Sequence, residues 1–185
     1  MTMPETRIET DRLILRSWRG DDLDDFARLH ADDRAMRDYK TTLSTADSQQ
    51  KLDDYRLQYE RHGFIRWRVS TKADEFLGYV GIYPNGADHP LGAHGDIGWR
   101  FLPQFWGQGY ATEAARSALS HVFDQCGLTE VLAYTQSDNS SSQAVIARLR
   151  FRRDPTRDFT ISDQHVENWH GLVWATCPST SSAAG

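Results

Sequence analysis

Gly107 and Gly109 stand two residues apart in the stretch LPQFWGQGYATEAARSALSHVF, Leu102 to Phe123, at the point where a strand gives way to a long helix. The first N–H groups of a helix have no partner within it and lie at its positive end, so they attract an anion. Glycine keeps the approach to those groups clear and tolerates the positive φ of a tight turn. Spacing separates the known phosphate-binding patterns. A dinucleotide fingerprint needs a third glycine where this chain has Thr112, and a P-loop needs a Gly-Lys pair where it has Thr112 and Glu113. Both fail, which leaves an anion site of another kind or a plain turn into a capped helix.

Other residues of chemical interest lie around this stretch. Asp96 and His94 end or precede a strand, where either is a candidate base or simply a solvated turn residue. Ser142 and Asn139 sit in a serine-rich helix start, and each reads equally as a ligand contact or as a cap. Trp67, Tyr79, Tyr83 and Trp99 alternate along strands and line either a pocket or the core. The 7 histidines show no HExxH or other ligand spacing, so no catalytic metal is expected.

The elements that must position these groups read as alternating strands and helices. Arg12 to Trp18 is a strand, followed by a helix capped by Asp21 or Asp22. Ser44 with Asp47 makes a capping box for a second helix, which Gly63 stops. Phe64 to Val69 and Phe76 to Pro84 form an antiparallel pair, and Asp96 to Phe101 is a third strand after a loop from Asn85 to Gly95. Ala111 to Cys126 is the long helix, stopped by Gly127; Val131 to Thr135 is a buried strand, Ser140 to Leu149 a short helix, and Asn168 to Ala175 a late strand. Residues 8–176 are expected to form a single mixed α/β domain, with 1–7 and 177–185 as flexible tails.

The run DIGWRFLPQFWGQGYATEAARSALSHVF resembles the acetyl-coenzyme A signature of the GNAT N-acetyltransferases, [RQ]xxGx[GA], at Gln104, Gly107 and Gly109. The wider run is similar to the branch that acetylates N-terminal amines of ribosomal proteins and its small-molecule relatives. DRLILR near the start shares the likeness, as do Asn139, Ser142, Arg148, Leu149 and Phe151. The resemblance implies a GNAT fold: a central, mostly antiparallel twisted sheet of about seven strands flanked by about four helices, splayed in the middle to admit acetyl-CoA. It implies a cofactor site of Phe101, Gln104, Trp106, Gly107, Gln108, Gly109, Tyr110, Ala111, Thr112, Asn139, Ser142 and Arg148.

Asp96, Ser142 and Trp99 are then the implied catalytic residues, with a main-chain N–H near Gly98 to Arg100 stabilising the oxyanion by about 3 kcal/mol. The implied reaction is direct transfer of acetyl from acetyl-CoA to a primary amine, of a protein N-terminus or a small molecule such as a polyamine or aminoglycoside. A non-catalytic acyl-CoA-binding module is the alternative; relatives are often homodimers, and the sequence leaves the assembly open between a homodimer and other states. Two departures stand out. Arg150 replaces the usual Gly, so a different turn is expected there, and Ile146 replaces the tyrosine that many members use as an acid.

Composition narrows the rest. The chain of 185 residues is 39% hydrophobic and 25% charged, as soluble globular chains are. It has no apolar run near the ~20 residues that span a bilayer and no signal-like start, so neither membrane nor export is expected. Two cysteines, Cys126 and Cys177, lie far apart, which fits a reducing cytoplasm. A formal charge of −5 disfavours nucleic acid and slightly favours a cationic acceptor.

Overall fold

The computed structural model describes residues 5–39, 41–162 and 168–178. The remaining parts of the expected tails, 1–4 and 179–185, lie outside the described residues. The elements run β1 (Arg7–Glu9), β2 (Leu13–Arg16), α1 (Leu23–His30), α2 (Thr45–His62), β3 (Arg66–Thr71), β4 (Phe76–Asn85), β5 (His94–Phe101) and α3 (Tyr110–Gln125). They continue through β6 (Val131–Thr135), α4 (Ser140–Arg148), β7 (Arg152–Arg153), β8 (Phe159–Ile161) and β9 (Trp169–Thr176). Among the described residues no helix is long and apolar enough to cross a membrane.

A 9-stranded sheet carries the order β1-β2-β3-β4-β5-β6-β9-β7, with β8 pairing β9. Every pairing is antiparallel except β5 with β6. The strand count exceeds the about seven that the resemblance implies; β1, β7 and β8, at 3, 2 and 3 residues, are too short to leave an alternation in the sequence, which marked the other six. Glu5 to Arg7, expected in the N-terminal tail, are tied down: Thr6 and Ser17 exchange hydrogen bonds, and Arg7 begins β1.

Local chemistry accounts for the helix ends. Ser44 and Asp47 form the reciprocal capping box of α2, and Gly63 closes it at φ 77°. The expected cap of α1 is corrected: Asp22 occupies the N-cap position, but its carboxylate caps nothing in α1 and pairs instead with Arg16 at 2.7 Å. A short 3-10 turn, Gly20–Asp22, precedes the helix and accounts for its late start.

Register assigns the faces. Trp67, Val80 and Trp99 are cross-strand partners and share one face, as do Arg68, Tyr79 and Arg100 on the other. On the first face, the small buried stripe Ala114, Ala115, Ala118 and Val122 lets α3 pack close to the sheet. Trp67 therefore belongs to the core beneath α3, edge-on to His121 at 5.5 Å, and lines no acceptor pocket. α1 and α2 cover the opposite face, where Phe26 and Tyr55 pack on Tyr79.

Candidate active site

β5 and β6 share one registered pair among the described residues, Asp96 with Leu132, whereas β4 and β5 stay in register from Gly78↔Phe101 to Asn85↔His94. Beyond Asp96 the sheet opens into a cleft of about 140 Å³, walled by Gly98, Trp99, Ala133, Thr135, Ser142 and Ile146. Leu102 N–H bonds Leu77 O across β4 at 2.9 Å. Successive strand residues turn their N–H groups to opposite edges, so those of Ile97, Trp99 and Phe101 face the opening. Because the Trp99 side chain lies on the face of α3, its N–H is what it offers the cleft.

Just past the end of β5 a 3-10 turn, Pro103–Phe105, leads through Trp106 to the glycines. Gly107 and Gly109 both take positive φ, 74° and 81°, and Gly109 is the N-cap of α3. A Cβ on Gly107 would meet nothing within 4 Å, so the space before it is open. The backbone N–H groups from Gly107 through Tyr110 and Ala111 to Thr112 have no acceptor among the described residues; the helical ladder begins with Glu113 N–H on Gly109 O at 3.1 Å. Here the bare backbone serves both the turn and the approach to those amides.

The loop is held from several sides. Gln108 Nε2 donates to Gln104 O at 3.1 Å, and Trp106 Nε1 to Phe101 O at 2.8 Å. Arg12, at the entry to β2, bonds Gln108 O through Nη1 at 3.0 Å and Glu113 through Nε at 2.7 Å, with its guanidinium 4.4 Å from the centre of the Tyr110 ring. Burial works against the Glu113 charge, but hydrogen bonds from Thr10 and Arg12 hold its carboxyl below the usual value. The guanidinium groups of Arg34 and Arg37 lie 5.7 and 5.6 Å from the exposed Trp106 ring. None of these arginines is distinguished by sequence spacing, because each reaches the loop across the fold.

Asn139 Oδ1 caps α4, accepting from Ser142 N–H at 3.1 Å and Ser141 Oγ at 3.0 Å. Ser142 lines the cleft, and its Oγ makes no hydrogen bond to a described residue; Ile146, one turn along, is buried as apolar wall. Arg148 is exposed, and its carbonyl lies 3.5 Å from Arg116 Nη2. The different turn expected at Arg150 is corrected. Arg150 itself adopts φ 62°, its N–H bonds Ala147 O at 3.0 Å, and Phe151 N–H bonds Ile146 O at 3.4 Å. These bonds close a Schellman turn of the kind glycine usually makes. The buried neighbours Leu149 and Phe151 fix the chain on both sides and impose the conformation.

The inner end of the cleft is polar. Asp96, 3% exposed, accepts from Arg66 Nη2 at 2.5 Å on Oδ2 and from Asn85 Nδ2 at 2.6 Å on Oδ1. The Arg66 guanidinium lies against Gly98, where a Cβ would come 2.7 Å from it, so Gly98 is bare to admit Arg66. Burial and Asp96 together keep the Tyr134 phenol protonated, well above its ordinary range. His94 has both ring nitrogens engaged: Nδ1 donates to Gly92 O at 2.8 Å, which leaves Nε2 to accept from Asn85 at 3.3 Å. Arg100 bonds the Ala35 carbonyl, both oxygens of Asp38 and the Tyr79 hydroxyl. Arg66, Arg100, Asp38 and Tyr134 thus complete the polar end of a site at which sequence reasoning named Asp96, His94 and Tyr79. Their partners are far away in the chain, and only the register of the sheet brings them together.

Comparison with known proteins agrees with this geometry. The family profile described as Acetyltransferase (GNAT) domain matches residues 12–152. The Uncharacterized N-acetyltransferase YoaA of Bacillus subtilis is 25% identical over 150 residues, spanning 80% of this chain and 83% of its own. An acetyltransferase of the GNAT family from Bacillus anthracis has the same fold, with a TM-score of 0.76 at 20% identity over 93% of this chain and 98% of its own. A ribosomal-protein alpha-N-acetyltransferase solved with coenzyme A gives 0.76 at 16% identity over 93% of this chain and 98% of its own. The matched span begins at Arg12 beside the glycine loop and ends at Arg152 in β7, so it takes in both walls of the cleft, and the chain belongs to the GNAT acetyltransferases.

Proposed function

We propose that this acyltransferase moves the acetyl group of acetyl-CoA directly onto a primary amine, with both substrates bound together in the cleft between β5 and β6. The observation that carries the reading is the run of N–H groups from Gly107 to Thr112 with no acceptor among the described residues, opening onto free space just beyond the end of β5. Such a run at a helix start fits a diphosphate. When bound, acetyl-CoA supplies an acyl group already activated as a thioester.

The chain's residues then have separable roles. The amides from Gly107 to Thr112 take the diphosphate, with Trp106, Gln104 and Arg148 around it. Asn139 keeps its Nδ2 free to donate while its Oδ1 caps α4. Trp99 N–H offers a hydrogen bond to the carbonyl oxygen on which negative charge builds, the arrangement worth about 3 kcal/mol in comparable sites. Asp96 draws the proton from the attacking amine by way of Tyr134: the amine proton passes to the phenol oxygen as the phenol proton passes to the carboxylate. Ser142 Oγ–H hydrogen-bonds the departing sulfur. A thiol of ordinary pKa, ~8.5, leaves without a strong acid, so Ile146 in place of a tyrosine is compatible with turnover.

Incubation of the full chain with acetyl-CoA and a panel of peptides, amino acids, polyamines and aminoglycosides, read by thiol release, tests the proposal. Acceptor-dependent release supports it. Coenzyme A binding without release from any amine would instead favour a non-catalytic binding module.

A further inference from the structure

The face of the sheet beneath α1 and α2 carries a cation that the reaction above does not use. Lys51, on α2, lies 5.4 Å from the centre of the Tyr39 ring and 5.9 Å from that of Tyr55, and it has no carboxylate partner among the described residues. Tyr39 is one wall of the cleft, together with Asp38, Arg66, Tyr79 and Arg100. Asp38 is ion-paired with Arg100 and Asp96 with Arg66. Asp54, one turn along α2, is held by the Tyr83 hydroxyl at 2.7 Å and by Gln58. Arg66 bonds Asp96 through Nη2 alone, which leaves Nη1 without a described acceptor.

Two neighbours register the resulting field. Burial alone would raise the Tyr79 phenol, yet Arg100, Lys51 and Arg66 hold it below its ordinary value. His30, fully buried, is pushed down to about 3, first by burial and then by Lys51 and Arg100. The space beside Lys51, between Tyr39, Tyr55 and Tyr79, is therefore electropositive although the chain as a whole is acidic. Such a place repels a polyamine and attracts an anion, since an unpaired cation in a partly desolvated site gains most from a charge-assisted hydrogen bond.

We infer that the acceptor amine carries a carboxylate, which Lys51 and Arg66 Nη1, unpartnered among the described residues, hold against the Tyr39 wall while its amino group faces the acetyl donor. The acceptor class is then an amino acid or a close analogue, and the cationic acceptor suggested by net charge is set aside. This inference rests on the acetyl-transfer reading of the same cleft.

Paired acceptors test it: free amino acids, such as alanine and methionine, against their carboxamides, with spermidine as a cationic control, all read by thiol release. The wild-type chain is expected to favour each acid over its amide by at least about tenfold in kcat/KM, the size of one charge-assisted bond. In Lys51→Met that ratio should collapse towards unity, and in Lys51→Arg it should persist. Amides or spermidine turned over as well as the acids would overturn the inference while leaving acetyl transfer intact. A ratio unchanged in Lys51→Met, in a variant whose melting temperature shows it folded, would also overturn it. Absence of thiol release with every amine, together with calorimetric silence towards acetyl-CoA, would overturn both readings. If Lys51→Met fails to fold, the acid-to-amide ratio of the wild type and of Lys51→Arg decides alone.

Discussion

Replacing Arg150 with glycine should stabilise this protein. Arg150 closes α4 at φ 62°, a conformation that costs a residue bearing a Cβ about 1–2 kcal/mol. Glycine removes that cost but gives back about 0.5–1 kcal/mol through its freer unfolded chain. The Schellman bonds are made by main-chain atoms and survive the change. The Arg150 side chain is exposed and makes no hydrogen bond or ion pair with a described residue, so nothing else is lost. The net gain is about 0.5–1 kcal/mol, or about 1–4 °C in melting temperature for a domain of this size. Calorimetric melts of wild type, Arg150→Gly and Arg150→Ala separate backbone from side chain. Alanine removes the guanidinium but keeps the strained φ, so it should melt with the wild type while glycine melts higher. Equal gains for both variants, or none for glycine, would refute the strain argument. Titration of coenzyme A into the same three proteins shows whether the guanidinium also reaches a phosphate, in which case both variants bind more weakly.

Gly107→Glu should weaken coenzyme A binding at least about a hundredfold while lowering stability by only about 1–2 kcal/mol, because it sets a carboxylate in the open space before the amides and strains a single φ; calorimetry and thermal melts compare the two, and proportionate losses would contradict it. Ser142→Ala should lower kcat about tenfold or less with water serving the sulfur, and a drop beyond about a thousandfold in steady-state assays would show the hydroxyl to be the essential acid. His30 is neutral in the fold, with a pKa near 3 against 6.5 when free, so the unfolded chain binds the extra proton and stability is lost as the pH falls through 6.5 towards 3. Denaturant titrations across that window should show the slope, and His30→Gln should flatten it.

Short-range chemistry was legible in the sequence. The glycine spacing before α3, the Ser44–Asp47 box and the stops at Gly63 and Gly127 each act over a few residues, and each sits where its spacing places it. Their conformations follow from local sterics and unpaired backbone groups, which neighbouring residues alone determine. What lay beyond that range came only with the tertiary structure. Arg66 meets Asp96 across 30 positions, Arg100 meets Asp38 across 62, and Arg12 meets Glu113 across 101. Alternation along β3 separates Arg66 from Trp67 but says nothing of which face α3 will cover, so the sequence left Trp67 open between pocket and core. Even Arg150, whose residue type argues against a left-handed turn, was overruled by the burial of Leu149 and Phe151. Packing two apolar anchors into the core outweighs the strain on the single exposed residue between them.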